Sequence, residues 1–167
     1  MYGAVAFYKA AVAAGIRPII GCEVYVAPRG MTDRVHGVDD AYTHLVLLCR
    51  DETGYHNLCY LVSAAFERGF YGKPRIDWPL LHKHAEGLIC LSGCVAGDIP
   101  RAVLRGDYEA AKARAVELQA LFGEGNFYLE LQNHHMTDEA RVRAALLRIH
   151  RETGIPLAAT NDVHYIK

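Results

Sequence analysis

Short apolar runs alternate along this chain with segments of helical period, and that alternation constrains the fold more than any other feature. Arg17–Val26, His44–Cys49, Gly87–Ser92, Phe127–Leu131 and Pro156–Thr160 read as strands. Helices are predicted over Ala4–Ala14, Glu52–Gly69, Asp107–Leu121 and Thr137–Thr153, with Val5, Tyr8 and Val12 on one face of the first. A shorter helix is expected through Trp78–Leu81, with Asp77 as its N-cap and Pro79 in its first turn. Residues 27–41 read as a polar loop and Phe70–Arg75 as an irregular connector. Parallel strands need a crossover that a helix supplies, so repeated strand–helix–strand units imply an α/β fold with a largely parallel sheet. No internal repeat or linker is visible, and residues 1–167 read as one domain.

Composition narrows the class. Apolar residues make up 51% and charged residues 22%, the balance of a globular chain and not of a disordered one. Eighteen Lys plus Arg against nineteen Asp plus Glu leave a net charge of −1, which argues against a module dedicated to coating nucleic acid or anionic membrane. It does not exclude a catalytic domain that meets nucleic acid locally. The apolar runs are too short for a transmembrane helix. The five cysteines stand at 22, 49, 59, 90 and 94 with no C-x-x-C pair. That is neither a disulfide framework nor a zinc ribbon, and it points to a reducing, cytoplasmic location.

In α/β folds, ligands bind beyond the carboxyl ends of the strands. There the sequence places Glu23 after Gly21-Cys22, Cys94 after Ser92-Gly93, and Glu130 and His134 around the fourth strand. Asn161, Asp162 and His164 follow the fifth. His44 opens its strand. If residues 27–41 are an excursion from a hairpin, that strand returns antiparallel to Val24-Tyr25-Val26 and brings His44 near Glu23. Singly, each of these has an ordinary reading as a cap, an ion-pair partner, a buried thiol or a solvated loop residue. Carboxylate, thiol and imidazole gathered at strand tips form instead the donor set of a zinc, manganese or iron site.

Other chemistries lack their signatures. There is no G-x-S-x-G, G-x-G-x-x-G, Walker loop or H-E-x-x-H. Lys73 and Arg75, beside Phe70 and Tyr71, form a candidate contact for single-stranded nucleic acid, with packing on the fold as the alternative.

Several segments carry a family resemblance. Met1–Lys9, Gly15–Val26, Gly54–Leu58, Gly69–Asp77, Gly87–Cys94 and Ala159–Tyr165 resemble, in order, the amino-terminal PHP (polymerase and histidinol phosphatase) domain of bacterial DNA polymerase III alpha subunits. The resemblance implies a distorted (β/α)7 barrel with a cluster of three divalent metal ions (zinc, manganese or magnesium) at its strand tips. Of the family's ligand motifs, the Glu of G-C-E, the His before the L-x-L-L strand and the Cys of the S-G-C turn match Glu23, His44 and Cys94. The family's opening H-x-H and T-D-H-G motifs are expected upstream of Met1 and its final D-x-H downstream of Lys167. The chain therefore reads as an incomplete barrel, a fragment cut at both ends that does not assemble the full cluster alone.

The resemblance further implies a part of a DNA-directed DNA polymerase, a nucleotidyltransferase of DNA replication. Metal-dependent 3′–5′ exonuclease chemistry is expected at this site, with DNA and other replicase subunits as partners and no membrane. Glu130, His134, Asn161, Asp162 and His164 are expected in the surrounding pocket. The alternatives are a free-standing phosphoesterase of histidinol-phosphatase type and a purely structural PHP module.

Overall fold

The computed structural model describes residues 1–164, so Tyr165 of the last resembling segment lies outside the described residues. Two compact units are distinguished, residues 1–42 with 46–89, and residues 43–45 with the chain from 90 onward.

The first unit opens with α1 (Ala4–Ala13), followed by β1 (Gly21–Val26). The expected apolar face of α1 is not buried: Val5, Tyr8 and Val12 remain 59%, 52% and 52% exposed. Residues 46–49 of β2 (Thr43–Cys49) belong here too, and β2 runs antiparallel to β1. Two contacts give the direction. Cys49 N–H, at the end of β2, donates to Ile20 O just before β1 at 2.8 Å. Tyr25, near the end of β1, meets the ring of Tyr42 just before β2, with centroids 4.9 Å apart. The hairpin return expected for His44's strand is therefore the observed one.

α2 (Glu52–Glu67) starts at Asp51, whose carboxylate accepts from Gly54 N at 3.0 Å. Its buried face is Gly54, Leu58, Leu61, Ala64 and Ala65, a helical spacing that packs on β1 and β4. Gly54 lies so close to the Gly87 carbonyl that no Cβ fits there.

The stretch expected to be an irregular connector is a small hairpin. β3 (Phe70–Tyr71) and β4 (Lys73–Ile76) pair antiparallel around Gly72, whose φ of +67° suits glycine. β4 then pairs in parallel with β1, Tyr25 opposite Arg75 and Val26 opposite Ile76. The strand order is β3-β4-β1-β2. α3 (Trp78–Lys83) follows with the expected cap, Asp77 accepting from Leu80 N at 3.0 Å.

Arg75 explains how the 27–42 loop is held. It is fully buried, and its guanidinium donates to the carbonyls of Gly69 at 3.1 Å, Met31 at 3.0 Å and Asp33 at 2.9 Å, and to that of Asp39. Three of those acceptors are in the loop. Buried Asp39 is held in turn by Arg29 (Nη2 at 2.6 Å, Nε at 2.9 Å), and this bond keeps its carboxyl at about 2.

The second unit holds β5 (Leu88–Leu91) from Cys90 on, β6 (Phe127–Leu131) and β7 (Leu157–Ala159), paired in parallel in that order. α4 (Asp98–Leu104), not anticipated from the sequence, packs on α5 (Tyr108–Phe122) and α6 (Thr137–Thr153). Asp107 caps α5, accepting from Ala110 N at 3.0 Å, and Gly123 ends it. Leu45, Cys90, Ile99, Leu118, Phe127, Leu129, Leu146 and Ile149 form the core. The α/β class and the mostly parallel pairing are as expected.

Replacing Arg75 with Ala strands at least three loop carbonyls, and each buried unsatisfied acceptor costs about 1–3 kcal/mol. Arg75→Ala is therefore expected to lower stability by about 3 kcal/mol or more and to expose residues 27–42 to limited proteolysis. Lys73→Ala is expected to cost below about 1 kcal/mol. Urea unfolding with proteolytic mapping checks both.

Candidate metal centre

The Ser92-Gly93-Cys94 turn leaves the end of β5 and meets His44, the second residue of β2, within the second unit. His44 N–H donates to Ala96 O at 3.2 Å, and His44 bridges to Gly97 in parallel. Gly97 N–H closes the turn on Cys94 O at 2.8 Å. Gly93 has φ +81°, and a Cβ built on it would stand 2.8 Å from His44 O. Only glycine gives both the left-handed backbone and this close approach. As a result, Cys94 Sγ stands 3.7 Å from His44 Nδ1.

That distance has chemical content. Sulfur at about 2.3 Å and imidazole nitrogen at about 2.0–2.1 Å from one tetrahedral ion lie about 3.5 Å apart. The pair is already spaced as two ligands of a single ion. A soft thiolate beside an imidazole fits zinc and its neighbours better than calcium.

Beneath the turn lies Glu130, 6% exposed. Its Oε2 accepts from Gly93 N at 3.1 Å, and its Oε1 accepts from Gln132 Nε2 at 3.1 Å and from the Thr160 hydroxyl. Its own N–H donates to Ser92 Oγ at 2.8 Å. Cys94, Glu130, Gln132, Glu139 and Arg143 line a pinched cavity here with room for about one water.

Glu23 is the third residue of β1, so it is a mid-strand residue of the first unit and not a strand-tip one as expected. His134 is clamped on both ring nitrogens, Nδ1 by Glu139 Oε1 at 2.6 Å and Nε2 by the Asn161 carbonyl at 2.7 Å. Asp162 takes a left-handed φ of +45°, and its carbonyl meets His164 Nδ1 at 2.7 Å. Lys73 is exposed, its Nζ 5.5 Å from the Tyr25 ring centroid. Arg75 is not available to a phosphate: its donors are spent on loop carbonyls in the interior.

Ser92, Thr160 and Glu139 are the supporting residues that sequence reasoning passed over. Ser92 had a signal, since it stands in the S-G-C turn itself. Glu139 had one too, as an acid in the first turn of a helix. Thr160 had none beyond its place at a strand end.

A family model described as "PHP domain" matches residues 1–134. The chain is 48% identical to DNA polymerase III subunit alpha of Treponema pallidum over 166 residues, 99% of this chain and 14% of that protein. It is 46% identical to the same subunit of Thermus aquaticus over 169 residues, 100% of this chain and 14% of that protein. For Deinococcus radiodurans the identity is 39% over 171 residues, again the whole chain and 13% of the relative. The chain thus spans about 14% of the length of the first two of these relatives.

The His134 clamp makes a pH prediction. Both of its partners are acceptors, so both bonds are made only by the imidazolium. The bond to Glu139, and then that to the Asn161 carbonyl, raise its pKa above the ordinary value. Burial pushes the Glu139 carboxyl up, but the His134 ring and the N–H groups of His134 and Met136 outweigh it and hold the carboxyl below its usual range. A raised histidine contributes stability that is present below its unfolded value, about 6.5, and is lost as pH rises through the folded value. A lowered carboxyl loses its contribution as pH falls through its own folded value, below about 4.5. Imidazole NMR titration is expected to give His134 a pKa above about 6.5 that drops in Glu139→Gln, with stability falling on the alkaline side in wild type only.

Proposed function

We propose, from the premise that the chain belongs to the PHP domain family, that residues 1–167 form a partial PHP domain carrying a metal-dependent phosphodiester-hydrolysing site. Its ligands on this chain are Glu23, His44 and Cys94. The observation that supports it most is the 3.7 Å separation of Cys94 Sγ and His44 Nδ1. Within a longer protein of the DNA polymerase III alpha type, the site trims 3′ ends of DNA while nucleotide addition is carried out elsewhere in the chain. The polymerase subunits among the relatives favour this over a free-standing phosphoesterase.

Divalent ions held there supply charge stabilisation at the phosphoryl oxygens and acidify a bound water toward neutrality. The rest falls to the chain. Cys94 gives up its proton and binds as thiolate. His44 turns an unprotonated Nδ1 toward the site, which places its remaining ring proton on Nε2. Glu23 brings a fixed negative charge that balances the cationic cluster. Lys73, exposed above the Tyr25 ring, is positioned to meet the phosphate backbone.

DNA and other replicase subunits are the partners of this reading, and the cytoplasm is its location. Among the described residues, no helix is long and apolar enough to cross a membrane.

The test uses the protein that carries this chain. Glu23→Ala, His44→Ala and Cys94→Ser are each expected to lower metal-dependent 3′-end hydrolysis on the order of 100-fold. Nucleotide addition is expected to change less than about twofold, since phosphoryl transfer uses a separate metal site. Full nuclease activity in Cys94→Ser overturns the proposal.

A further inference from the structure

Burying a carboxylate is costly unless its charge is met. Among the described residues Glu130 forms no ion pair with Lys or Arg, yet it is only 6% exposed. Its charge is met by three neutral donors: the Gly93 N–H, the Gln132 amide and the Thr160 hydroxyl. The Gly93 bond is the one with a consequence. That N–H belongs to the turn whose next residue is Cys94, and whose glycine already sits against His44 O. The adjoining bond, from Glu130 N–H to Ser92 Oγ at 2.8 Å, ties the same turn to the β6 backbone. β6 therefore grips the turn on both sides of the Ser92–Gly93 peptide.

We infer that Glu130 is a positioning residue for metal binding, acting through the Gly93 N–H to hold the Cys94 thiolate at ligand distance from His44. The inference rests on the metal-site reading above. What Glu130 contributes is a hydrogen-bond acceptor placed at one point, and its negative charge is incidental to that role. Freed of the acceptor, the Gly93 peptide rotates to find another partner and carries Cys94 away from His44.

Two conservative variants separate placement from charge. Glu130→Gln keeps the length and an acceptor oxygen for Gly93 N–H but loses the charge. Glu130→Asp keeps the charge and draws the acceptor back by one methylene. In the protein that carries this chain, cobalt(II) is titrated and its thiolate charge-transfer absorption is followed, using the difference between each protein and its Cys94→Ser counterpart. Glu130→Asp is expected to weaken cobalt binding at Cys94 by about 10-fold or more, while Glu130→Gln stays within about threefold of wild type. Circular dichroism and thermal melting accompany each titration. Wild-type affinity in Glu130→Asp, or an equal loss in Glu130→Gln, overturns the inference. Unfolding of either variant assigns Glu130 to the fold and overturns it as well. Should the parent protein show no absorption dependent on Cys94, the metal-site reading itself fails before position 130 is touched, and this inference fails with it.

Discussion

The backbone at Gly93 runs so close to the His44 carbonyl that no side chain fits between them, and most of what is chemically interesting in the second unit depends on that approach. With φ at +81° the chain reverses direction straight after β5. The reversal points Cys94 back toward His44 instead of onward into solvent. The cost is a buried peptide whose N–H faces the interior, and the Glu130 carboxylate answers it. Glu130 then needs donors of its own, which brings in Gln132 and the Thr160 hydroxyl at the end of β7. One missing Cβ thus propagates, through unsatisfied polar groups that must each be answered, across three parallel strands.

A similar economy holds in the first unit, where the organising group is a cation. The 27–42 loop has little regular structure to satisfy its carbonyls. Arg75 reaches into it from β4 with a planar fork of donors that suits several oxygens at once, which a lysine ammonium does not match. Asp39 is fastened by Arg29 and by Val35 N–H at 2.7 Å, so the loop is closed by charge-assisted bonds and little apolar packing. Such a loop is a means of returning the chain antiparallel from β1 to β2. Without that return His44 would open its strand at the other end.

Much of this was legible in the residues, and the misses share a cause. Strand β6 and helix α6 stand where the periodicity placed them, because each has five or more residues of unbroken pattern and a clear boundary. The caps at Asp77 and Asp107 and the stop at Gly123 are local chemistry, and local chemistry survives folding. β3 and β4 were unreadable as strands because they are two and four residues long and contain Gly72 at the turn and Pro74 within. Helix α4, seven residues with a proline in its first turn, offers no full period to detect. Arg75 beside aromatics is open to two readings, a phosphate contact and packing on the fold, and the structure shows the second. Its burial is decided by a loop more than 30 residues away in sequence, which no local pattern records. Glu23 stands at a strand tip only if its strand ends at Gly21-Cys22-Glu23, whereas β1 begins at Gly21 and runs on to Val26. The pairing of His44 with Cys94 was within reach only because two independent expectations, the hairpin return and the S-G-C turn, both pointed to one place.

The central claim is that His44 and Cys94 ligate the same ion, and X-ray absorption at the metal edge tests it most directly. Zinc-loaded protein that carries this chain is predicted to show a sulfur scatterer at about 2.3 Å together with imidazole nitrogen at about 2.0–2.1 Å. The sulfur shell should vanish in Cys94→Ser. A spectrum from the parent protein fitted by oxygen and nitrogen alone, with no sulfur neighbour, would contradict the account.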